Sequence, residues 1–168
     1  MKFNPPSHRI LAALFLTVIL FLAIQTYCFA AKRDKKKGYV MTEVELQSEL
    51  MSYADRFASI ITQSFENFET LKPRPQARKF IFQDLVYSIT SVYTIAAEPN
   101  PQVGLLDMVA VTTLGRLVYE DNMRRKYGKS TQVIAAGFRQ MEKDIWGIAA
   151  KVLTSEQRGE FRQLILLW

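Results

Sequence analysis

Residues 100–128, NPQVGLLDMVAVTTLGRLVYEDNMRRKYG, decide the fold, because no segment after residue 31 is more apolar. Asn100 is a favourable N-cap residue, and Pro101 suits the first helical position, where its missing N–H costs nothing. Gly128 is placed to end the helix in a left-handed conformation. Apolar side chains cover nearly every side of the first four turns, so the sequence predicts a helix at the centre of the fold.

Two helices are predicted before this central one. Thr42 and Glu45 have the spacing of a capping box, and they open a helix that the prolines within residues 72–75 end. A second helix is predicted from residue 76 to residue 98. Its segment 87–95 is rich in β-branched and aromatic residues, which favours a strand, but the apolar period stays near 3.6 and indicates a helix.

Two more helices are predicted after the central one. Ser130 or Thr131 is placed to cap a fourth helix, and Thr154 with Gln157 forms a second capping box that opens a short fifth one. Short connections make consecutive helices antiparallel neighbours. The sequence therefore predicts an all-α domain over residues 42–168, an antiparallel up-down four-helix bundle with a short fifth, C-terminal helix.

Gly104 and Gly115 lie eleven residues apart in the central helix, which is close to three turns. Both therefore fall on one side, where they are predicted to let a neighbouring backbone approach closely. Two glycines tolerated by chance are the alternative.

The net charge of +6 belongs to the N-terminal part of the chain. Residues 1–37 hold seven basic side chains and one acidic one, whereas residues 38–168 hold 15 of each sign. A neutral domain has little long-range attraction for phosphate, so nucleic-acid binding is not expected.

Cysteine and histidine restrict the chemistry of the domain. The chain has one Cys, Cys28, and one His, His8, and both precede residue 38. The domain therefore lacks a thiolate nucleophile, an imidazole base and the ligands of a usual zinc site, and we expect no metal, no cofactor and no enzymatic activity.

The N-terminal region has the pattern of a membrane-targeting segment. After a tail of residues 1–9, the chain has 22 consecutive uncharged residues, Ile10 to Ala31. This length suffices for a transmembrane anchor, but a small-residue pattern before Ala31 is also typical of a signal peptide cleaved near Ala30. Contact with membrane lipid is predicted through residues 10–37.

The orientation of the domain is left open by two opposing signals. The basic linker, residues 32–41, carries five basic residues just after the segment, which favours a cytoplasmic domain by the positive-inside rule. The order of basic, apolar and small-residue regions is instead that of an exported chain. We expect a bacterial inner-membrane protein with a periplasmic domain, and a cytoplasmic-facing domain is the alternative.

Asp107 is the residue of the central helix with the most chemical interest. On a helical wheel it lies within the stripe of Val103, Val111 and Leu114, so its carboxylate is predicted to be desolvated. The structural interpretation is a buried ion pair with Arg56 on the first helix. The functional alternative is a general base in a carboxylate-dependent hydrolase.

Charge is predicted to separate along the bundle. In an antiparallel bundle the first and third connections meet at the end far from the membrane segment. Eight basic residues fall there: Lys72, Arg74, Arg78, Lys79, Arg124, Arg125, Lys126 and Lys129. They are predicted to bind an anionic surface or a protein partner, and a solvated end of the bundle is the alternative.

The C-terminus is more apolar than one helical stripe requires. Leu166, Leu167 and Trp168 are candidates for contact with a partner or the bilayer, and the alternative is a helix that folds back over the base of the bundle.

Two resemblances to known families are present. The stretches YADRFA (53–58), PNPQVGLLDMV (99–109) and MEKDIW (141–146) resemble a group of uncharacterised bacterial membrane-anchored or exported helical proteins, which implies no particular activity. Residues 153–157, LTSEQ, resemble the L-T-x-x-Q motif of small periplasmic helical stress chaperones. That motif recurs within its family and occurs once here, and helix capping alone explains Thr154 and Gln157.

These features favour a non-enzymatic, membrane-tethered helical module of the bacterial cell envelope that acts as a scaffold through protein–protein or anionic-surface contacts. A periplasmic chaperone-like or stress-response protein that binds apolar peptides is the alternative. The sequence indicates no oligomeric state.

Overall fold

The computed structural model describes residues 41–167, except for the side chain of Leu166. The predicted tail, membrane segment and most of the basic linker lie outside the described residues, as does Trp168. All regular structure in the described part of the chain is helical, which confirms the all-α prediction. The helices are α1 (Glu43–Thr70), α2 (Pro75–Ala96), α3 (Pro101–Leu117), α4 (Gln132–Val152) and α5 (Ser155–Leu166).

The predicted starts of α1, α3 and α5 are confirmed, and each is set by a capping residue within one turn of the helix. Thr42 and Glu45 form a complete capping box at α1, and Thr154 and Gln157 form one at α5. At α3 the side-chain oxygen of Asn100 accepts hydrogen bonds from the first turn, at 3.1 Å from Gln102 N and 3.3 Å from Val103 N. Each cap satisfies backbone N–H groups that the helix itself leaves without partners.

The start of α4 differs from the prediction that Ser130 or Thr131 caps it. Residues Lys129–Thr131 form a 3₁₀ turn, and Thr131 makes no side-chain bond to the first turn of α4. Its hydroxyl is buried and donates backwards to the carbonyl oxygen of Gly128 at 3.0 Å. Because the hydroxyl bonds to the preceding turn, it does not cap α4.

Two predicted helix ends also change. The segment 87–95 is helical as predicted, but α2 ends at Ala96, two residues before the predicted residue 98. After α3 the chain continues through a π-helical stretch, Val118–Met123, and one α-helical turn, Arg124–Tyr127, before Gly128. Gly128 has the expected positive φ of 91°, but its ψ of −176° lies outside the left-handed helical region.

Side-chain contacts show that each of the four long helices runs antiparallel to the next one along the chain. Near the start of α1, Gln47 donates to the carbonyl oxygen of Ala96 at the end of α2. At the other end of the pair, Glu69 of α1 forms an ion pair with Arg78 of α2. The two helices therefore run in opposite directions side by side.

The same reversal relates α3 to α4. Arg116 pairs with Glu142, and Tyr119, just after α3, stacks on Phe138 with ring centroids 5.3 Å apart. Helix α4 also packs against α1, which closes the bundle, and α3 touches all three of the other long helices. Helix α1 also touches the other three long helices, so α1 and α3 share the central position.

Gly104 and Gly115 have different neighbours on α3. A Cβ atom at Gly104 would lie 3.0 Å from the backbone oxygen of Ile95, so here the predicted close backbone approach exists. A Cβ atom at Gly115 would lie 2.3 Å from the ring of Phe138. The space at Gly115 is therefore filled by an aromatic side chain rather than by a backbone.

Helix α5 packs on α3 and α4. Phe161 and Ile165 are buried, and the rings of Trp146 and Phe161 have centroids 6.4 Å apart. Leu167 is 81% exposed, so this predicted contact residue is available to a partner.

Between residues 41 and 167, no helix has both the length and the apolar character that crossing a bilayer requires.

Candidate functional site

The structure brings together the two connections that carry the predicted basic residues. The α1–α2 connection and the residues after α3 meet where Phe80 contacts Tyr127, with ring centroids 5.6 Å apart. The ammonium nitrogen of Lys126 lies 4.8 Å from the centroid of the Phe80 ring, a cation–π distance. An aromatic contact therefore holds the two connections at one end of the bundle.

All eight predicted basic residues are exposed, and we call this set the basic tip. It consists of Lys72, Arg74, Arg78, Lys79, Arg124, Arg125, Lys126 and Lys129. Arg78 pairs with Glu69, and Arg125 pairs with Asp121 at 2.7 Å. Exposed ion pairs of this kind contribute little to the stability of the fold. Their main effect is to orient the two arginine side chains.

Six cations of the basic tip have no ion pair with any residue in the described part of the chain. One of them, Lys126, lies over the Phe80 ring, and the other five are Lys72, Arg74, Lys79, Arg124 and Lys129. Leu71 lies beside Lys72 and is 52% exposed, which places an apolar side chain among them. The basic tip can therefore offer several unneutralised cations and one apolar contact to an anionic partner.

Glu120 lies near the basic tip but its charge is already neutralised. It accepts hydrogen bonds from Arg116 of α3 and from Arg139 of α4, the latter at 2.7 Å. Burial opposes its ionisation, but these two guanidinium groups outweigh burial and lower the pKa of Glu120. Arg116 also pairs with Glu142, which makes a network of ion pairs between α3 and α4.

Asp107 is half-buried rather than fully buried. Arg56, its predicted partner, donates to Ser52 at 2.7 Å and pairs with Glu49 at 3.5 Å, both on its own helix. The side of α3 that is most deeply buried instead carries residues 105–106 and 108–110. Because α3 is apolar on nearly all sides, the wheel could not tell which side faces its neighbours.

A second half-buried carboxylate, missed by the sequence analysis, is hydrogen-bonded between two elements. Asp84 of α2 accepts a hydrogen bond from the hydroxyl of Tyr119 at 2.7 Å, between α2 and the π-helical stretch. Burial raises the pKa of Asp84, although the bond from Tyr119 opposes this. Burial and the nearby carboxylate likewise raise the pKa of Tyr119.

A second buried hydroxyl lies at the centre of the bundle. The Tyr53 hydroxyl lies 2.8 Å from Thr112 Oγ1 and donates to the carbonyl oxygen of Met141 at 3.3 Å. Burial raises the pKa of Tyr53, so the phenol stays neutral. These contacts join α1, α3 and α4, and they give Tyr53 a structural role.

Within residues 41–167, no three His, Cys, Asp or Glu side chains are grouped so that they could hold a metal ion. No protein-family model, curated protein or solved structure matches this chain.

Proposed function

We propose that this chain is a non-enzymatic, membrane-tethered scaffold or binding module of the bacterial cell envelope, which acts through its basic tip. The observation that supports this proposal is the group of five exposed cations from two separate connections, together with Leu71. The partner is an anionic protein surface or an anionic membrane surface. Opposite charge speeds such an encounter and gives it specificity.

A site-specific photo-cross-linker at Leu71 of the full-length chain in cells tests this proposal. We expect a discrete cross-linked product that disappears when Arg74 and Arg124 are both changed to Glu. The matched control changes two exposed lysines of α4, Lys143 and Lys151, to Glu, which alters the net charge equally and leaves the product unchanged. A product that both double variants lose equally would show a general charge effect and contradict the proposal.

Vesicle binding by the purified full-length protein distinguishes a membrane partner from a protein partner. If the partner is a membrane, vesicles containing anionic lipid bind the protein at low salt and vesicles of neutral lipid do not. If it is a protein, the cross-linked product contains a second polypeptide, and vesicle composition has no effect. The compartment is tested separately by a reporter fused after Trp168, which we expect to be active in the periplasm.

The chaperone-like alternative is favoured by one observation, the exposure of Phe82, Val86 and Tyr87 on α2. A client-binding surface would suppress the aggregation of an unfolded model protein, and Val86→Glu would abolish that effect. Suppression that is unchanged in this variant would remove the alternative.

A further inference from the structure

Exposed apolar side chains are concentrated on the outer surface of α1 and α2. Val44 and Met51 of α1 and Phe82, Val86 and Tyr87 of α2 are all exposed, and Phe82 also touches Phe65 of α1 with ring centroids 5.6 Å apart. In the rest of the described chain, the exposed large apolar residues are Leu71 and Leu167. Helix α2 therefore carries three of the seven exposed large apolar residues in the described part of the chain.

The exposed side of α2 is also uncharged for about four turns. Asp84, the only charged residue between Phe80 and Ala97, is bonded to Tyr119 and is half-buried. The exposed positions within this stretch are Phe82, Gln83, Val86, Tyr87, Thr90 and Thr94. A solvated helix face normally carries charge, as α3 and α4 do with their ion pairs, so this face has the composition of one that packs on another helix.

The two ends of the α2 face carry opposite charge. Lys79 is exposed near the start of α2 and has no ion pair within residues 41–167, whereas Glu98 follows the end of the helix. Two copies of α2 that pack antiparallel would bring Lys79 of each copy toward Glu98 of the other. A parallel pair would instead place each Lys79 beside its own equivalent.

We propose that the α2 face pairs two copies of this chain in an antiparallel arrangement about a two-fold axis near residue 88. In this register Val86 lies opposite Thr90, Phe82 opposite Thr94, and Lys79 opposite Ala97. Such an interface is isologous, so the same patch on both copies must be complementary to itself. A patch with an uncharged centre and opposite charges at its two ends meets this requirement. The helix dipoles are antiparallel as well.

This pairing goes beyond the proposed function; it engages Lys79 of the basic tip and leaves Lys72, Arg74, Arg124 and Lys129 for a partner. In an antiparallel pair the two basic tips point in opposite directions, so the pair presents two partner sites.

Disulfide cross-linking of the full-length chain, purified in detergent and carrying Cys28→Ser, tests the pairing and its direction. We expect Val86→Cys to cross-link with itself, because this position lies near the two-fold axis. Lys79→Cys and Ala97→Cys are expected to cross-link weakly alone and strongly when the two proteins are mixed. Strong self-cross-linking of each of these two variants alone would indicate a parallel pair and overturn the proposal.

The mass of the protein in solution provides the second measurement. Light scattering is expected to show a dimer that Val86→Glu converts to a monomer, because two like charges would be buried near the axis. Gln140→Glu, at an exposed position of α4, is the matched control and should retain the dimer. A monomer in the unsubstituted protein, or a dimer that survives Val86→Glu, would overturn the proposal. The tip variant Arg74→Glu with Arg124→Glu should stay dimeric, so the pairing and the proposed function can fail separately.

Discussion

Two adjacent threonines of α3 show how a single hydroxyl decides stability in the core. Thr112 and Thr113 are both buried, but Thr112 Oγ1 bonds to the hydroxyl of Tyr53, whereas Thr113 Oγ1 has no hydrogen-bond partner. A buried polar group without a partner costs free energy, and a satisfied one contributes modestly.

Substituting each threonine by the isosteric valine should therefore give opposite results. Thr113→Val is expected to raise the free energy of unfolding by about 1 kcal/mol, because it removes an unsatisfied hydroxyl. Thr112→Val is expected to lower it by about 1 kcal/mol, because it breaks the bond to Tyr53. Denaturant unfolding of both variants checks this, and equal effects of the same sign would contradict it.

The half-buried carboxylate of Asp84 predicts a pH dependence of stability. Burial raises its pKa above the ordinary value of 3.8, so between the two values the folded state binds more protons than the unfolded state. Stability is therefore expected to fall as pH rises through this window, and the full penalty is present above the folded pKa.

Asp84→Asn tests this dependence, because the amide stays uncharged and its oxygen can still accept from Tyr119. Relative to the unsubstituted protein, the variant should gain stability progressively as the pH is raised from about 4. Thermal melting across the pH range measures the difference. Asp55→Asn, at an exposed carboxylate of α1, is the control, and a pH profile like that of Asp84→Asn would count against the assignment.

Comparing Asp84 with Asp107 shows how far single residues can be interpreted from the sequence. A helical wheel ranks positions by the apolarity of their neighbours, which fails on α3 because three helices surround it. Asp84 lies in a less apolar helix, and its burial depends on Tyr119, which is 35 residues away. Asp107 is equally isolated between Glu98 and Arg116, so the isolation of one charge in an uncharged stretch does not distinguish the two residues.

At the scale of helices and turns, residues within one turn predicted where most helices begin. Contacts with distant residues determine the irregular segments. The capping box of Thr42 and the N-cap of Asn100 involve residues within one turn, so the sequence contains the whole signal. The π-helical stretch Val118–Met123 includes Tyr119, whose ring and hydroxyl are held by Phe138 and Asp84. Those contacts come from other helices, and no local pattern encodes them.

The turn after α1 contains a strained residue and yields a further prediction. Lys72 has a φ of 51°, a conformation that costs a residue with a Cβ atom roughly 1 kcal/mol and glycine almost nothing. Lys72→Gly is therefore expected to raise the free energy of unfolding by about 0.5–1 kcal/mol. The matched variant Lys79→Gly removes the same charge from within α2 and should lower it by about 1 kcal/mol. Thermal melting distinguishes them, and two losses of stability would argue against strain at Lys72.

At the scale of the whole molecule, the four long helices share one core while α5 is joined at its margin. Phe138 of α4 touches Phe57 of α1 with centroids 5.6 Å apart and also fills the space at Gly115 of α3. Phe161 of α5 contacts Trp146 of α4, and α5 packs on α3 and α4. Removing the Phe138 side chain should therefore loosen three helices, whereas removing the Phe161 side chain should mainly loosen α5.

Phe138→Ala is expected to lower the free energy of unfolding by about 3–5 kcal/mol, because it leaves a cavity between three helices. Since all three lose packing together, amide hydrogen exchange should accelerate in α1, α3 and α4 by a similar factor. Phe161→Ala should accelerate exchange within α5 and leave α1 unchanged. If exchange in α1 also rose strongly in Phe161→Ala, α5 would belong to the cooperative core, and the bundle would be a five-helix rather than a four-helix unit.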